Sequence, residues 1–226
     1  MSYLEDTERD GIILHIIFAM AVLLALSIPS GLPVGLRLCG LIILYNVMVP
    51  VTALLRGHAE WFKLWIFLVP LSILQIFPDW FLSVELGVLV FPDTGSPYIG
   101  DVPIYMGGLW TVPLFIIVLI GRRVESRWKR SRALLAVCTA SVVLFVGSEA
   151  ILWRIPIWYA QGVTTIAHVA IYLIVPEILL GLFTFLAFEW SLSRALWFKL
   201  GAAFMVMVIY LGSLCFFYFV VENLLL

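Results

Sequence analysis

Seven stretches of mostly apolar sequence, each close to the length that crosses a bilayer, leave this chain few ways to fold. A helix needs roughly 20 such residues to cross about 30 Å of hydrocarbon, and in lipid the backbone must satisfy its own hydrogen bonds. The stretches fall at 11–28, 36–55, 61–77, 102–120, 133–151, 161–188 and 199–221. Breakers and charges separate them: Pro29 to Pro33 after the first, Arg56 to Glu60 after the second, GRRVESRWKRSR after the fourth. Composition agrees. Hydrophobic residues make up 64% of the 226 and charged residues 12%, with a mean hydropathy of +1.14. A soluble chain is about 45–50% apolar and about 25% charged. The expected fold is all-α, a single integral membrane domain over residues 1–226, built as a polytopic bundle of seven transmembrane helices.

Charge placement predicts how the bundle sits. With the N-terminus inside, eleven of the thirteen Lys and Arg fall on the inner side, and only Arg37 and Arg154 fall outside. An eighth span through Phe81–Phe91 would change that split to nine and four. The positive-inside rule therefore predicts seven spans, N-in and C-out, in a multi-pass protein with its basic loops in the cytoplasm. The first ten residues carry four acids and one Arg, the reverse of a signal peptide, so the first helix is expected to be retained. Trp61, Trp128, Trp190 and Trp197 fall at expected inner boundaries, and Trp80, Trp153 and Trp158 at outer ones. That is the distribution of an aromatic belt.

Several function classes lack a foothold. A net charge of −1 gives no argument for nucleic acid as a partner. Cys39, Cys138 and Cys215 stand far apart in apolar runs and read as core residues. No HExxH, HxxxH, ExxH or CxxC spacing supports a metal site, and no P-loop, GxGxxG or GxSxG supports nucleotide or serine-hydrolase chemistry. No metal and no cofactor is expected. Lys199 opens the last span at the membrane surface, whereas a retinal lysine must lie deep in it. His15 and His58 lie toward the inner side and gain nothing from their neighbours in sequence.

Ionisable residues within spans are costly, which makes each a functional candidate. Glu177, directly after Pro176, lies near the middle of the sixth expected span. Two readings stand open: a kink with a neutral Glu bonded to Asn46 or a hydroxyl, or a protonated acid facing a substrate cavity. Glu149 ends the fifth span five residues before Arg154, a candidate partner. His168 is expected two turns below the outer end of the sixth span, with Tyr172 one turn further along the same face.

One connecting stretch, Pro78 to Trp110, is unlike the rest. It carries Asp79, Glu85, Asp93 and Asp101 and contains no Lys or Arg. Phe91-Pro-Asp-Thr-Gly95 is turn chemistry, and Asp101 ahead of Pro103 reads as the N-cap of the fourth helix. Asp79 and Glu85 lie in PDWFLSVELGVLVF, too apolar for a free loop and too short for a span. A re-entrant or interfacial segment between helices 3 and 4 is expected there. Glu85, flanked by Val84, Leu86 and Val88, would then be a neutral acid able to donate a proton.

The residues from Glu85 to Trp110 also carry a likeness. Glu85-Leu-Gly87-Val88, a Gly/Pro-rich turn, Gly100-Asp-Val-Pro103 and Trp110 resemble the Glu-x-x-Gly-Val … Gly-Val-Pro … Trp pattern of carotenoid hydratases and lycopene-cyclase-like membrane enzymes. Hydratases of that kind add water to a polyene end. In size and span count the chain is also similar to small seven-helix terpene cyclases, which use two membrane carboxyls to protonate an alkene or epoxide. The resemblance implies a membrane-embedded isoprenoid- or carotenoid-modifying enzyme, performing acid-catalysed hydration or cyclisation of a polyene or prenyl lipid. Its catalytic groups would be Glu85, Asp79, Glu177, Glu149 and His168. Trp80, Tyr105, Trp110 and Tyr172 would bind substrate, with aromatic faces stabilising a carbocation by roughly 0.5–2 kcal/mol each. The partner is a membrane lipid or isoprenoid substrate, and a second copy or a membrane complex partner remains open. Two other readings compete: a non-catalytic membrane subunit or lipid- or pigment-binding protein, and a small proton-coupled transporter built on Glu177.

Overall fold

The computed structural model describes residues 2–152, 154–155 and 157–225. Seven helices are long and apolar enough to cross a membrane: α1 (Asp6–Ser27), α2 (Val34–Arg56), α3 (Ala59–Glu85), α4 (Met106–Arg127), α5 (Arg130–Leu152), α6 (Ile171–Ser191) and α7 (Leu196–Leu225). The chain is an all-α, multi-pass membrane protein. Ile12, Ile16, Leu23, Leu54 and Leu135 expose apolar side chains outward, as a lipid-facing surface requires. The interior holds Tyr45, Trp61, Phe67, Phe115, Phe185 and Phe188, all close to fully buried.

The largest departure from expectation is in α3, which runs on to Glu85 instead of stopping at Phe77. Pro70 and Pro78 each remove one backbone donor, yet neither stops the helix. Asp79 N–H still bonds Gln75 O at 3.2 Å, and the final turn widens to a π-helix over Phe81–Glu85. The helix ends at Glu85, just before Gly87, whose φ of 63° is open to a residue without Cβ, and Val88 N–H returns to Leu82 O at 2.9 Å. Asp79 to Glu85 therefore form the end of a span, not a separate re-entrant or interfacial piece.

The sixth span is shorter than expected. Gln161 to Ala170, read as helix from its apolar content, is instead a hairpin of β5 (Thr165–Ile166) and β6 (Val169–Ala170). Val163, Thr164, Thr165 and Ile166 follow Gly162, and a β-branched run favours strand over helix. The fourth helix likewise starts late. Val102–Pro103 (β3) pairs with Tyr98–Ile99 (β2) across a turn at Gly100-Asp101. Asp101 is thus an exposed turn residue and not an N-cap, while Asp93 accepts Gly95 N–H at 2.9 Å as turn chemistry predicts. Leu89–Val90 (β1) pairs with Tyr159–Ala160 (β4), and Gln161 bonds Val88 O and Gly87 O, which stitches the two loop systems together.

The other end of the bundle is basic and ion-paired. Asp10 meets Arg56 at 2.7 Å and His58 at 2.9 Å, and Arg122 reaches both Glu60 (3.0 Å) and Glu189 (3.2 Å). Arg123 pairs with Glu8. His15 bonds Gly11 O at 2.7 Å and Tyr45 Oη at 3.1 Å, so both of these histidines find partners from outside their own sequence neighbourhood or one turn away. Lys199 is buried and donates to the Ser191 and Leu192 carbonyls, closing the C-terminal end of α6. Trp128, Trp190 and Trp197 are exposed at this end, as a belt requires, but Trp61 is core, edge-on to Phe115 at 5.4 Å. Trp153 lies outside the described residues.

Candidate functional site

At the loop end, α3 to α7 and the hairpin loops surround a partly open cavity of about 350 Å³. Three acids from three helices line it: Asp79 from α3, Glu149 from α5 and Glu177 from α6. Among its described lining residues there is no Lys or Arg. Asp79 and Glu177 are buried, and Glu149 is half-buried. The Glu149 and Glu177 carboxyls lie close enough to interact electrostatically.

Local sequence explains how each acid is placed. Asp79 follows Pro78 in the last third of α3, on the face packed inward by Gln75 and Leu82. Glu177 sits in the first α-helical turn of α6, after the three-residue 3-10 segment Ile171–Leu173 and Pro176. One turn further, Gly181 lets α6 approach α5, since a Cβ there would collide with the Ser141 hydroxyl. That close approach brings Glu177 toward the α5 side of the cavity, where Glu149 faces the backbone N–H of Ala170. Asn46 is engaged elsewhere, with Ile42 O at 3.0 Å and Gly108 O at 3.3 Å, and Glu177 Oε2 has no hydrogen-bond partner.

Aromatic rings complete the wall. Trp110 donates its indole N–H to Asp79 Oδ2 at 3.3 Å and packs edge-on to Tyr210 at 5.9 Å. Tyr210, from α7, is buried within electrostatic reach of Asp79, Glu149 and Glu177 alike. Tyr172 is buried and edge-on to Tyr218 at 5.4 Å. Tyr210 escaped the sequence reading, although a hydroxyl near the middle of a span was signal enough.

The expected site residues divide clearly. Asp79, Glu149, Glu177, His168, Trp110 and Tyr172 all line the cavity. Glu85, Trp80 and Tyr105 do not. Glu85 is exposed at the π-turn end of α3, with its side chain outside the cavity that Leu82 and Val88 on either side of it line. Trp80, about 100° round the helix from Asp79, lies against Gly100. Tyr105 is buried below the loops, donating to Ile157 O at 3.3 Å, and burial pushes its phenol above the ordinary value. His168 is not inside a helix but exposed at the cavity mouth. Ala167 (φ 51°) and His168 (φ 70°) form the two-residue turn of the β5–β6 hairpin in a conformation that normally selects Asn-Gly. Two non-glycine residues held there mark strain at the mouth of the site.

A second hollow of about 880 Å³ lies at the basic end, near α1, α3 and α4. Its acids Glu8 and Glu60 are both ion-paired to arginine, so among its described lining residues no acid lacks a counter-charge. Among the described residues no group of three or more His, Cys, Asp or Glu is arranged to hold a metal ion.

Residues 76–221 match the family model of DUF6989, a domain of unknown function. The chain belongs to this family. The DUF6989 match begins just before Asp79 and includes Glu149, His168, Glu177 and Tyr210, so it takes in every ionisable group of the cavity, while α1 and α2 lie outside it. Comparison with curated proteins and with solved structures found no match.

Proposed function

We propose that this DUF6989 protein is a membrane enzyme that performs acid-catalysed chemistry on the unsaturated chain of an isoprenoid lipid. The observation that carries this reading is the meeting of Asp79, Glu149 and Glu177 in one apolar, aromatic cavity whose described lining has no cation. An ionised carboxylate is strongly disfavoured in such a place without a partner, so acids kept there serve best as proton donors and acceptors. Glu177, the more buried of the interacting pair, adds its proton to one carbon of a trisubstituted double bond. The positive charge forms on the other carbon, against the π faces of Trp110 and Tyr210. Water attacks that carbon and gives up a proton to Glu149, for a net addition of water. Alternatively a second double bond attacks and a neighbouring C–H proton passes to Glu149, giving a cyclic isomer.

Two further features support an isoprenoid over a soluble substrate. Val112, Pro113 and Ile116 of α4 and Leu144, Ser148 and Leu152 of α5 line the cavity and are only partly buried. They offer a lateral apolar route from the bilayer. The mouth at Tyr159, Thr165 and His168 is exposed and suits a polar head or incoming water. We place the cavity on the non-cytoplasmic side, because eleven of the thirteen Lys and Arg gather at the opposite end.

The test is direct. Purified protein in liposomes is incubated with prenyl and polyene lipids, and the extract is followed by mass spectrometry. A product heavier by one water, or an isomer of changed retention, is expected from wild type and absent from Glu177→Gln. A lipid that co-purifies unchanged would point to a binding protein instead, and proton-coupled flux without a product to a transporter.

A further inference from the structure

Between the cavity and the basic end, three polar side chains take no part in the proposed chemistry. Ser72 Oγ, both amide atoms of Gln75 and Thr184 Oγ1 have no hydrogen-bond partner, and all three residues are fully buried. A helical hydroxyl can turn back onto the carbonyl one turn earlier, as Ser141 does onto Val137 O at 2.9 Å. Ser72 and Thr184 make no such bond.

Their positions fall on one face of each of two helices. Ser72, Gln75 and Asp79 follow one another at three- and four-residue steps on one face of α3, and Glu177 and Thr184 lie two turns apart on α6. The two helices run in opposite directions and meet at Phe67 and Phe188, whose rings are 6.0 Å apart. At the helical rise, Ser72 stands about 7.5 Å above that contact and Thr184 about 6 Å above it, with Asp79 and Glu177 at about 17–18 Å. The orphaned groups thus occupy the layer between the ring pair and the cavity acids.

We propose that Ser72, Gln75 and Thr184 hold a file of buried water that opens into the cavity at Asp79 and Glu177 and is closed toward the basic end by the Phe67–Phe188 rings. Water fits the chemistry of the set. Each hydroxyl both donates and accepts, and the Gln75 amide supplies two donors and one acceptor, so a bare cation would leave the amide N–H groups unserved. Buried polar groups without protein partners are met by water in native interiors. Closure at one end lets the cavity acids exchange protons with the loop-side solvent but not across the bilayer. The use of this water in the reaction rests on the acid chemistry proposed above; its presence does not.

X-ray footprinting of the full-length protein in nanodiscs tests the file, because radiolysis of bound water labels the residues beside it. Phe67 and Phe185 are equally buried, and the Phe185 ring packs on the α4 and α5 side against Gly121 and outside both hollows. Phe67, at the end of the file, is expected to label about fivefold or more faster than Phe185. A combined Ser72→Ala, Gln75→Leu, Thr184→Val variant is expected to bring its rate down to that of Phe185. Equal rates for the two phenylalanines in wild type would overturn the proposal, even if the variant does not fold. Since turnover is not read, a hydrated column in a protein that converts no lipid would refute the enzymatic reading and leave the file standing. A dry column in an active enzyme would do the reverse.

Discussion

At the basic end of the bundle Asp10 lies between Arg56 and His58, and Glu189 between Arg122 and Arg130. In the cavity at the loop end Asp79, Glu149 and Glu177 are lined by apolar and aromatic side chains with no described cation among them. The same residue types therefore do two kinds of work. Ion pairs at a partly exposed helix end tie neighbouring helices together at modest gain. Carboxyls brought together without a counter-charge do not stabilise a bundle, and their cost is explained by what they can do to a bound molecule.

The contrast can be broken in order of expected effect. Glu177→Gln should lower conversion of a prenyl lipid by roughly 10²–10⁴-fold, the usual yield of a positioned acid, with the melting temperature unchanged or raised. Trp110→Phe keeps a ring but removes the donor to Asp79, and a fall of about tenfold in rate is expected from the loss of one buried hydrogen bond. At the other end Glu189→Gln should leave the rate near wild type. Its thermal melt should drop by about 2–4 °C, the equivalent of roughly 1 kcal/mol. Ala167→Gly removes a strained left-handed residue and should raise the melt by up to about 3 °C at unchanged rate. Glu85→Gln should change neither rate nor melt; a large loss of rate would return Glu85 to the chemistry.

Much of the bundle was legible in the sequence because seven apolar runs divided by charge and proline have one economical arrangement in lipid. Segment ends were less legible. The apolar stretch 61–77 ends ahead of Pro78, but a proline removes only one donor, and α3 runs on through a π-turn to Glu85. Gln161–Ala170 was apolar enough to pass for helix until its β-branched run decided for a hairpin. The site followed these errors. Glu149 and Glu177 were visible as acids in apolar runs, and Asp79 as an acid outside turn chemistry. Glu85 lies outside the cavity because its stretch is the exposed end of a span and not a re-entrant segment. Tyr210 carries one sequence signal, a hydroxyl in the middle of an apolar span, but only the packing of α7 against Trp110 brings it among the acids.

The central claim is that a cavity carboxyl passes its proton to a carbon of a bound isoprenoid. Turnover of prenyl and polyene lipids in D₂O, followed by mass spectrometry of the extracted lipid, measures that transfer directly. Wild-type protein should yield product with deuterium fixed on carbon, and Glu177→Gln protein should yield none. Lipid recovered from wild type unchanged, with no carbon-bound deuterium, would contradict the claim.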